Sequence, residues 1–153
     1  MELIDLKFRK VSLNDAPMNL LLLADPAESK VREYLSESHC FQAEKSGNTV
    51  GVYVLRPLGN SSYELMNIAV APESQKQGIG STLLNHAISS AKELGAKKLE
   101  VGTGSFGYQL GFYQKAGFRV SSIEKDFFLR HHNEPIIISG IQLKDMIRLT
   151  IEL

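Results

Sequence analysis

Residues 74–87, SQKQGIGSTLLNHA, set two glycines one residue apart at the mouth of a helical stripe. Glycine inside a helix costs roughly 1 kcal/mol relative to alanine, so Gly78 and Gly80 make a poor opening turn on propensity alone. Three arrangements favour glycine there: a turn that needs positive φ, a helix–sheet contact too close for a Cβ, or a ligand pressed against the backbone. The third uses the unpaired N–H groups and positive dipole end of a helix start. The pattern leaves all three open, but each demands a strand–loop–helix unit at this point of the chain.

The flanking residues supply that unit. SYELMNIAV reads as a strand stopped by Pro72. From Ile79 the residues Leu83, Leu84, Ala87, Ile88, Ala91 and Leu94 follow a helical stripe, and Gly95 sits where a C-terminal cap belongs. Upstream, LIDLKFRKV alternates at period two as a first strand, and NDAPMNLLLLA is a short apolar helix. Asp25 before Pro26 reads as a capping side chain ahead of a proline at the first helical position, starting a second helix near Ala27. HCFQAEK and TVGVYVLRP form a hairpin whose turn chemistry comes from Ser46, Gly47 and Asn48. Downstream, KKLEVGT reads as a buried strand, YQLGFYQKA as a helix closed by Gly117, FRVSSIEKDFFL as a long strand and DMIRLTIEL as the last strand. Strands dominate early, helices alternate in the middle and strands return, which gives an α/β or α+β mixed sheet. No repeat or linker interrupts the 153 residues, so one domain over 1–153 is expected.

Composition removes several function classes. Lys and Arg total 17, as do Asp and Glu, so no electrostatic footprint for nucleic acid or an anionic membrane is expected. The single cysteine, Cys40, excludes an internal disulfide and a cysteine zinc cluster; it reads as a buried small apolar residue in a reducing compartment. MELIDLKFRK lacks the layout of a signal peptide, and the runs LLLLA and IIISGI are too short to span a bilayer, so the expected location is cytoplasmic.

NIAVAPESQKQGIGSTLL, followed some thirty residues later by GFYQKAGF, resembles the GNAT superfamily of N-acetyltransferases. Gln75-Lys76-Gln77-Gly78-Ile79-Gly80 matches the family's Gln/Arg-x-x-Gly-x-Gly/Ala loop, and Tyr113, Lys115, Gly117 and Phe118 match its Tyr-x-Lys-x-Gly-Phe ending. The order, spacing and context agree over residues 62–118. The resemblance implies a single domain with a mixed, mostly antiparallel central sheet flanked by helices, acetyl-CoA as co-substrate, no metal and an amine acceptor.

It also implies a site. The pyrophosphate of coenzyme A would lie on the backbone N–H groups of Gln77, Gly78, Ile79, Gly80 and Ser81, with Gln75 in the loop and Lys76 adding charge at the rim. The helix dipole contributes only about 0.3–1 kcal/mol, so the backbone hydrogen bonds must supply most of the anchoring. The pantetheine arm would pair with Ile68, Ala69 and Val70 like an added strand. An alkylamine with a pKa of about 10.4 is neutral only about one time in a thousand at pH 7.4, a cost of roughly 4 kcal/mol, so a base or a water chain to one is required. Glu64, eleven residues before Gln75, is the candidate base; an ordinary solvent-facing strand carboxylate is the alternative. Tyr113 is the candidate acid for the departing thiolate; a packing tyrosine is the alternative. The family's pantetheine-contacting asparagine is missing from TGSFGYQLGFY, where Ser105 is the stand-in. Gly102, Gly104 and Gly107 suggest a wider or more mobile cleft there.

The segment EKDFFLRHHNEPIIISGIQLKD gathers Asp126, Arg130, His131, His132, Asn133 and Glu134 around two phenylalanines. Adjacent histidines on a strand face opposite sides, which disfavours joint metal capture. FFLRHH is the candidate acceptor-selecting segment, where Asp126 and Glu134 would draw a cationic amine. The principal expectation is direct acetyl transfer to a primary amine of a small molecule, peptide or protein. A catalytically silent acyl-CoA sensor and an unrelated phosphate-binding domain are the competing classes. The strand-rich C-terminus offers an edge for a homodimer.

Overall fold

The computed structural model describes residues 5–153, so Leu3 and Ile4 of the expected first strand lie outside the described residues. Contacts divide the chain into two compact units, Met1–Leu99 with Leu153, and Glu100–Glu152.

In the first unit, β1 (Lys7–Val11), β2 (His39–Lys45), β3 (Asn48–Gly59) and β4 (Ser62–Val70) follow one another in space, each antiparallel to the next. The β2–β3 hairpin turns on Ser46 (φ 52°) and Gly47 (φ 83°); Asn48 already pairs with Lys45, so the turn is two residues long. Between β1 and β2 lie α1 (Met18–Ala24) and α2 (Glu28–Leu35), whose Leu20, Leu21, Val31 and Leu35 bury against Val11, Cys40, Val52 and Val54. Cys40 is buried, as expected for a small apolar residue, and burial pushes its thiol up to about 12. Asp25 does not cap α2 in the expected way: Ala27 is the N-cap and Pro26 precedes it. The Asp25 carboxylate instead accepts from the Ala27 N–H at 3.2 Å, a turn formed before the helix begins.

The opposite face of this ladder carries α3 (Ile79–Glu93). A Cβ on Gly51 would stand 3.2 Å from Leu83, so strand and helix approach closely there. The expected cap forms at the far end of α3. Gly95 (φ 92°) donates to Lys92 O at 3.0 Å and Ala96 donates to Ala91 O at 3.0 Å, the two bonds of a Schellman ending.

From β5 (Lys98–Gly104) the chain enters the second unit, whose strands lie in the order β5-β9-β6 with β6 (Arg119–Glu124) antiparallel to β9 (Met146–Glu152). β5 alternates between buried and half-exposed residues, so it is covered on one face only and is not the fully buried strand expected from KKLEVGT. α4 (Tyr108–Lys115) precedes β6. The expected long strand FRVSSIEKDFFL stops at Glu124. Asp126 takes φ 60°, its N–H bonds the Asp145 carboxylate at 2.8 Å, and Phe127–His131 forms α5. A short hairpin, β7 (Ile137–Ile138) and β8 (Ile141–Gln142), follows.

Candidate active site

The glycine loop lies in the first unit. β4 ends at Val70 and a 3-10 turn at Pro72–Ser74 follows. Lys76 (φ 63°) and Gly78 (φ 83°) then both turn left-handed, and Gly78 is the N-cap of α3. Glycine tolerates that conformation without penalty, which favours the first of the arrangements open to the sequence. The first intrahelical bond runs from Thr82 N to Gly78 O at 3.3 Å, so the amides of Ile79, Gly80 and Ser81 precede the helical ladder. No side chain caps this terminus. Gln75, Lys76, Gln77, Gly78 and Ser81 are exposed, whereas Ile79 is buried; Ile79 therefore offers a ligand its backbone and gives its side chain to the core.

Two side-chain bonds hold the loop. Gln75 Nε2 donates to Val70 O at 3.1 Å, tying the loop back to the end of β4. Lys45 Nζ, from the end of β2, donates to Gln77 Oε1 at 3.4 Å. Lys45 thus joins Lys76 as a second cation at the loop. It had no local signal, because its closeness to Gln77 arises from strand pairing.

Ile68, Ala69 and Val70 pair with Tyr53, Val52 and Gly51 of β3. Between Leu65 and Asn67 the register slips at Met66, a β-bulge with a consequence for Glu64. Glu64 pairs with Arg56 and Asn67 with Val54, so Glu64 and Asn67 share the sheet face covered by α1 and α2. Ile68 pairs with Tyr53 and faces the other way. Without the bulge, Glu64 and Ile68 would point to one side. Beside Glu64's face lies a buried polar group absent from the sequence reading. Asn67 Nδ2 donates to Leu21 O at 3.0 Å and to Tyr34 Oη at 2.9 Å, while Asn67 Oδ1 has no partner among the described residues. Burial drives the Tyr34 phenol up to about 12; the Asn67 bond opposes this and the Asp25 charge adds to it.

On the α3 face, the Tyr53 hydroxyl lies 2.7 Å from both His86 Nδ1 and Ser90 Oγ. Phe8 stacks on the His86 ring at 3.6 Å. Burial lowers the His86 pKa, partly offset by Glu93.

Ser105 and Tyr113 lie in the second unit. Ser105 is half-buried in the bend between β5 and α4. Tyr113 is buried near the end of α4, edge-on to Phe112 at 5.3 Å and Phe118 at 5.7 Å, and burial pushes its phenol up to about 12. A Cβ at Gly102 would meet Met146 Sδ at 2.7 Å, and one at Gly104 would meet Leu143 Cδ1 at 2.7 Å, so these two glycines let neighbouring side chains close on β5, whereas Gly107 (φ 103°) has open space around it. Further on, Phe127 packs tilted against His131 at 4.3 Å and Phe128 stacks with His132 at 5.9 Å. The histidines end a helix and do not alternate along a strand, so the strand argument applied to them fails. Among the described residues, no three His, Cys, Asp or Glu side chains cluster as a metal site, and no helix is long and apolar enough to cross a membrane.

A strand, a left-handed glycine loop and an open helix N-terminus on a mixed α/β fold form a backbone arrangement that can receive a phosphate group. The comparisons with known proteins sharpen the class. The family profile described as "Acetyltransferase (GNAT) domain" matches residues 36–120. The uncharacterized N-acetyltransferase YvbK of Bacillus subtilis (strain 168) is 47% identical over 141 residues, 92% of this chain and 91% of that one. Two solved structures superpose with a TM-score of 0.92 and cover 97% of this chain. One is a Bacillus subtilis acetyltransferase in complex with CoA, 44% identical with 99% of that chain covered. The other is a GNAT family acetyltransferase from Elizabethkingia anophelis with acetyl-CoA bound, 41% identical with 98% of that chain covered. The chain belongs to the GNAT family: it has the family's mixed α/β fold and is an acetyl-CoA-dependent N-acetyltransferase.

Proposed function

We propose that the enzyme moves acetyl from acetyl-CoA directly to a primary amine of a small molecule, peptide or protein, with no acyl-enzyme intermediate. The observation that carries the reading is the left-handed Gly78 ahead of the open amides of residues 79–81. Those amides, with Gln77 and Gly78, receive the pyrophosphate, while Lys76 and Lys45 add positive charge. Ile68, Ala69 and Val70 pair with the pantetheine arm, Ser105 contacts it, and a β4 amide stabilises the thioester oxyanion, a donor worth roughly 2.7–4 kcal/mol. Glu64, directly or through water, takes the ammonium proton. The neutral amine then attacks the thioester carbonyl, the C–N bond forms, the nitrogen gives up its second proton to solvent water, the C–S bond breaks and the thiolate departs.

The Tyr113 phenol steadies that thiolate. A phenol raised to about 12 handing its proton fully to a thiolate whose acid has a pKa near 8.5 would run uphill by roughly 5 kcal/mol. Tyr113 therefore acts as hydrogen-bond donor to the developing charge, with final protonation left to solvent. Cys40, buried and held as the thiol, is no candidate for an acyl-cysteine route. The C-terminal segment around FFLRHH, with its two Phe–His ring contacts, selects the acceptor. The reaction needs no metal, and the setting is cytoplasmic.

Calorimetric titration with acetyl-CoA, followed by thiol release across a panel of amines, tests this reading. Binding with amine-dependent release supports it. Binding without release over a broad panel would mark a sensor, and no binding would undo the reading of the glycine loop.

A further inference from the structure

Strand β6, RVSSIE, is the outermost strand of the β5-β9-β6 ladder, and every one of its residues is exposed. Val120 and Ile123 stay 50% and 58% exposed although their neighbours on β9, Leu149 and Ile147, are buried. Among the described residues, no strand pairs with the other edge of β6. An uncovered edge with two large apolar side chains is a template for another strand, and proteins ordinarily blunt such edges. The sequence of this edge indicates which strand it accepts.

β6 is bulged: Val120 pairs with Leu149 and Ser122 with Arg148, so Ser121 and Ser122 share one rung. The Ser121 hydroxyl is turned inward, donating to Arg148 O at 3.2 Å and accepting from Thr150 Oγ1 at 3.2 Å. Counted in rungs, the strand reads Arg119, Val120, the serine pair, Ile123, Glu124, opposite Thr150, Leu149, Arg148, Ile147 and Met146. Cation, apolar, small, apolar, anion: the order is its own complement when reversed.

The bulge makes that complement geometrically usable. Residues that pair across strands lie on the same face of a sheet, and a two-fold axis normal to the sheet preserves faces. In a regular strand Val120 and Ile123, three apart, would point to opposite faces and could not pair symmetrically. Here they lie opposite Leu149 and Ile147, two residues apart on β9, and so share one face. Arg119 and Glu124 share the other, opposite Thr150 and Met146. The extra serine thus converts an incompatible spacing into a symmetric one centred on the bulge.

We propose that β6 is the contact strand of a two-fold homodimer, paired antiparallel edge to edge with a second copy of this chain. Arg119 lies opposite Glu124 of the second copy, Val120 opposite Ile123, and the two serine bulges meet at the axis. The ion pair and the apolar pair each form twice. A shift of register sets the charged ends against serine or isoleucine, so the ends fix the alignment. Because the contact is isologous, pairing consumes the edge on both copies, and assembly stops at two.

Sedimentation velocity on the full chain, from about 5 to 200 µM, tests this together with a charge-reversal series. The wild type dimerises, with no larger species. Arg119→Glu places two carboxylates opposite each other at both ends, and Glu124→Arg places two guanidinium groups there; each weakens the dimer by about tenfold or more. The double variant Arg119→Glu/Glu124→Arg restores dimerisation to within about threefold of wild type, which mere unfolding or general surface damage cannot produce. Titration with CoA confirms that each variant is folded. A monomer throughout the range, single variants that dimerise like wild type, or a double variant no better than the singles would each overturn the proposal.

Discussion

Gly78 and Gly95 bracket α3 with the same left-handed backbone, which makes them a matched pair for testing why the helix begins with glycine. Alanine at either position must adopt a positive φ, at a cost of about 1–2 kcal/mol. For a chain of this length each kcal/mol lowers Tm by roughly 2–4 °C, so both Gly78→Ala and Gly95→Ala are expected to melt about 2–8 °C lower. Ligand affinity separates them. A Cβ at Gly95 meets nothing within 4 Å and that end of α3 carries no proposed ligand, so Gly95→Ala binds CoA as wild type does. On the proposed reading, a methyl group at Gly78 stands where the pyrophosphate approaches the amides. Charge-assisted backbone bonds are worth about 1.5–3 kcal/mol each, and weakening even one raises Kd at least about tenfold. Gly78→Asn adds a further control, because asparagine tolerates the left-handed region and returns most of the stability while leaving the obstruction in place. Thermal unfolding gives the first quantity and calorimetric titration with CoA the second. Equal CoA affinity in wild type, Gly78→Ala and Gly78→Asn would refute the account, and so would an equal loss in Gly95→Ala.

Three further expectations concern individual side chains. Tyr113→Phe lowers the rate of CoA release about 10–100-fold, the worth of one hydrogen bond to a charged group, while CoA affinity stays within about threefold. The wild-type rate shows no loss of the Tyr113 proton until the pH nears about 12, because the neutral phenol is the active form. Asn67→Ala removes the bonds to Leu21 O and Tyr34 Oη, while Leu21 O keeps the Asp25 N–H and the Tyr34 phenol keeps its bond to Asp25; a cost of about 1–2 kcal/mol, seen as a Tm some 2–8 °C lower, is expected. His39 and His86 both have pKa values lowered below 6.5 by burial, with Lys10 adding to the effect at His39. The unfolded chain then binds protons more readily than the folded one, so stability falls as pH drops through about 6.5 toward the lower folded values. Tm measured from pH 7.5 down to about 5.5 should decline, and His86→Gln should flatten the decline.

What the sequence disclosed and what it hid differ in the range of the forces involved. The boundaries of α3 were legible because each rests on local chemistry: the stripe from Ile79, the glycine at its start and Gly95 at its end. The same holds for the β2–β3 turn. The FFLRH helix was hidden because two phenylalanines and a leucine after an alternating run read as more strand. What breaks the strand is a left-handed Asp126 held by Asp145, nineteen residues later. The packing at Gly102 and Gly104 was hidden for a similar reason, since the side chains that close on them come from Met146 and Leu143. In the candidate site, the glycine loop was accessible because backbone geometry carries its chemistry. Lys45 beside Gln77, the Tyr53–His86–Ser90 group and the Asn67–Tyr34 contact join strands or helices far apart in sequence, and no local spacing encodes them. The β4 bulge lies between these extremes: LMN carries no glycine to mark it, yet it decides which face Glu64 occupies.

The burial of Cys40 also determines how this enzyme can be watched. A chain whose single thiol is shut beneath α1 and α2 and held protonated stays dark to chromogenic thiol reagents while it remains folded. The colour that develops during turnover therefore counts released CoA alone, with no protein background to subtract. Slow labelling of Cys40 in the absence of substrate becomes a clock for the opening of that helical face, and its rate reads the local stability of the layer that covers Asn67.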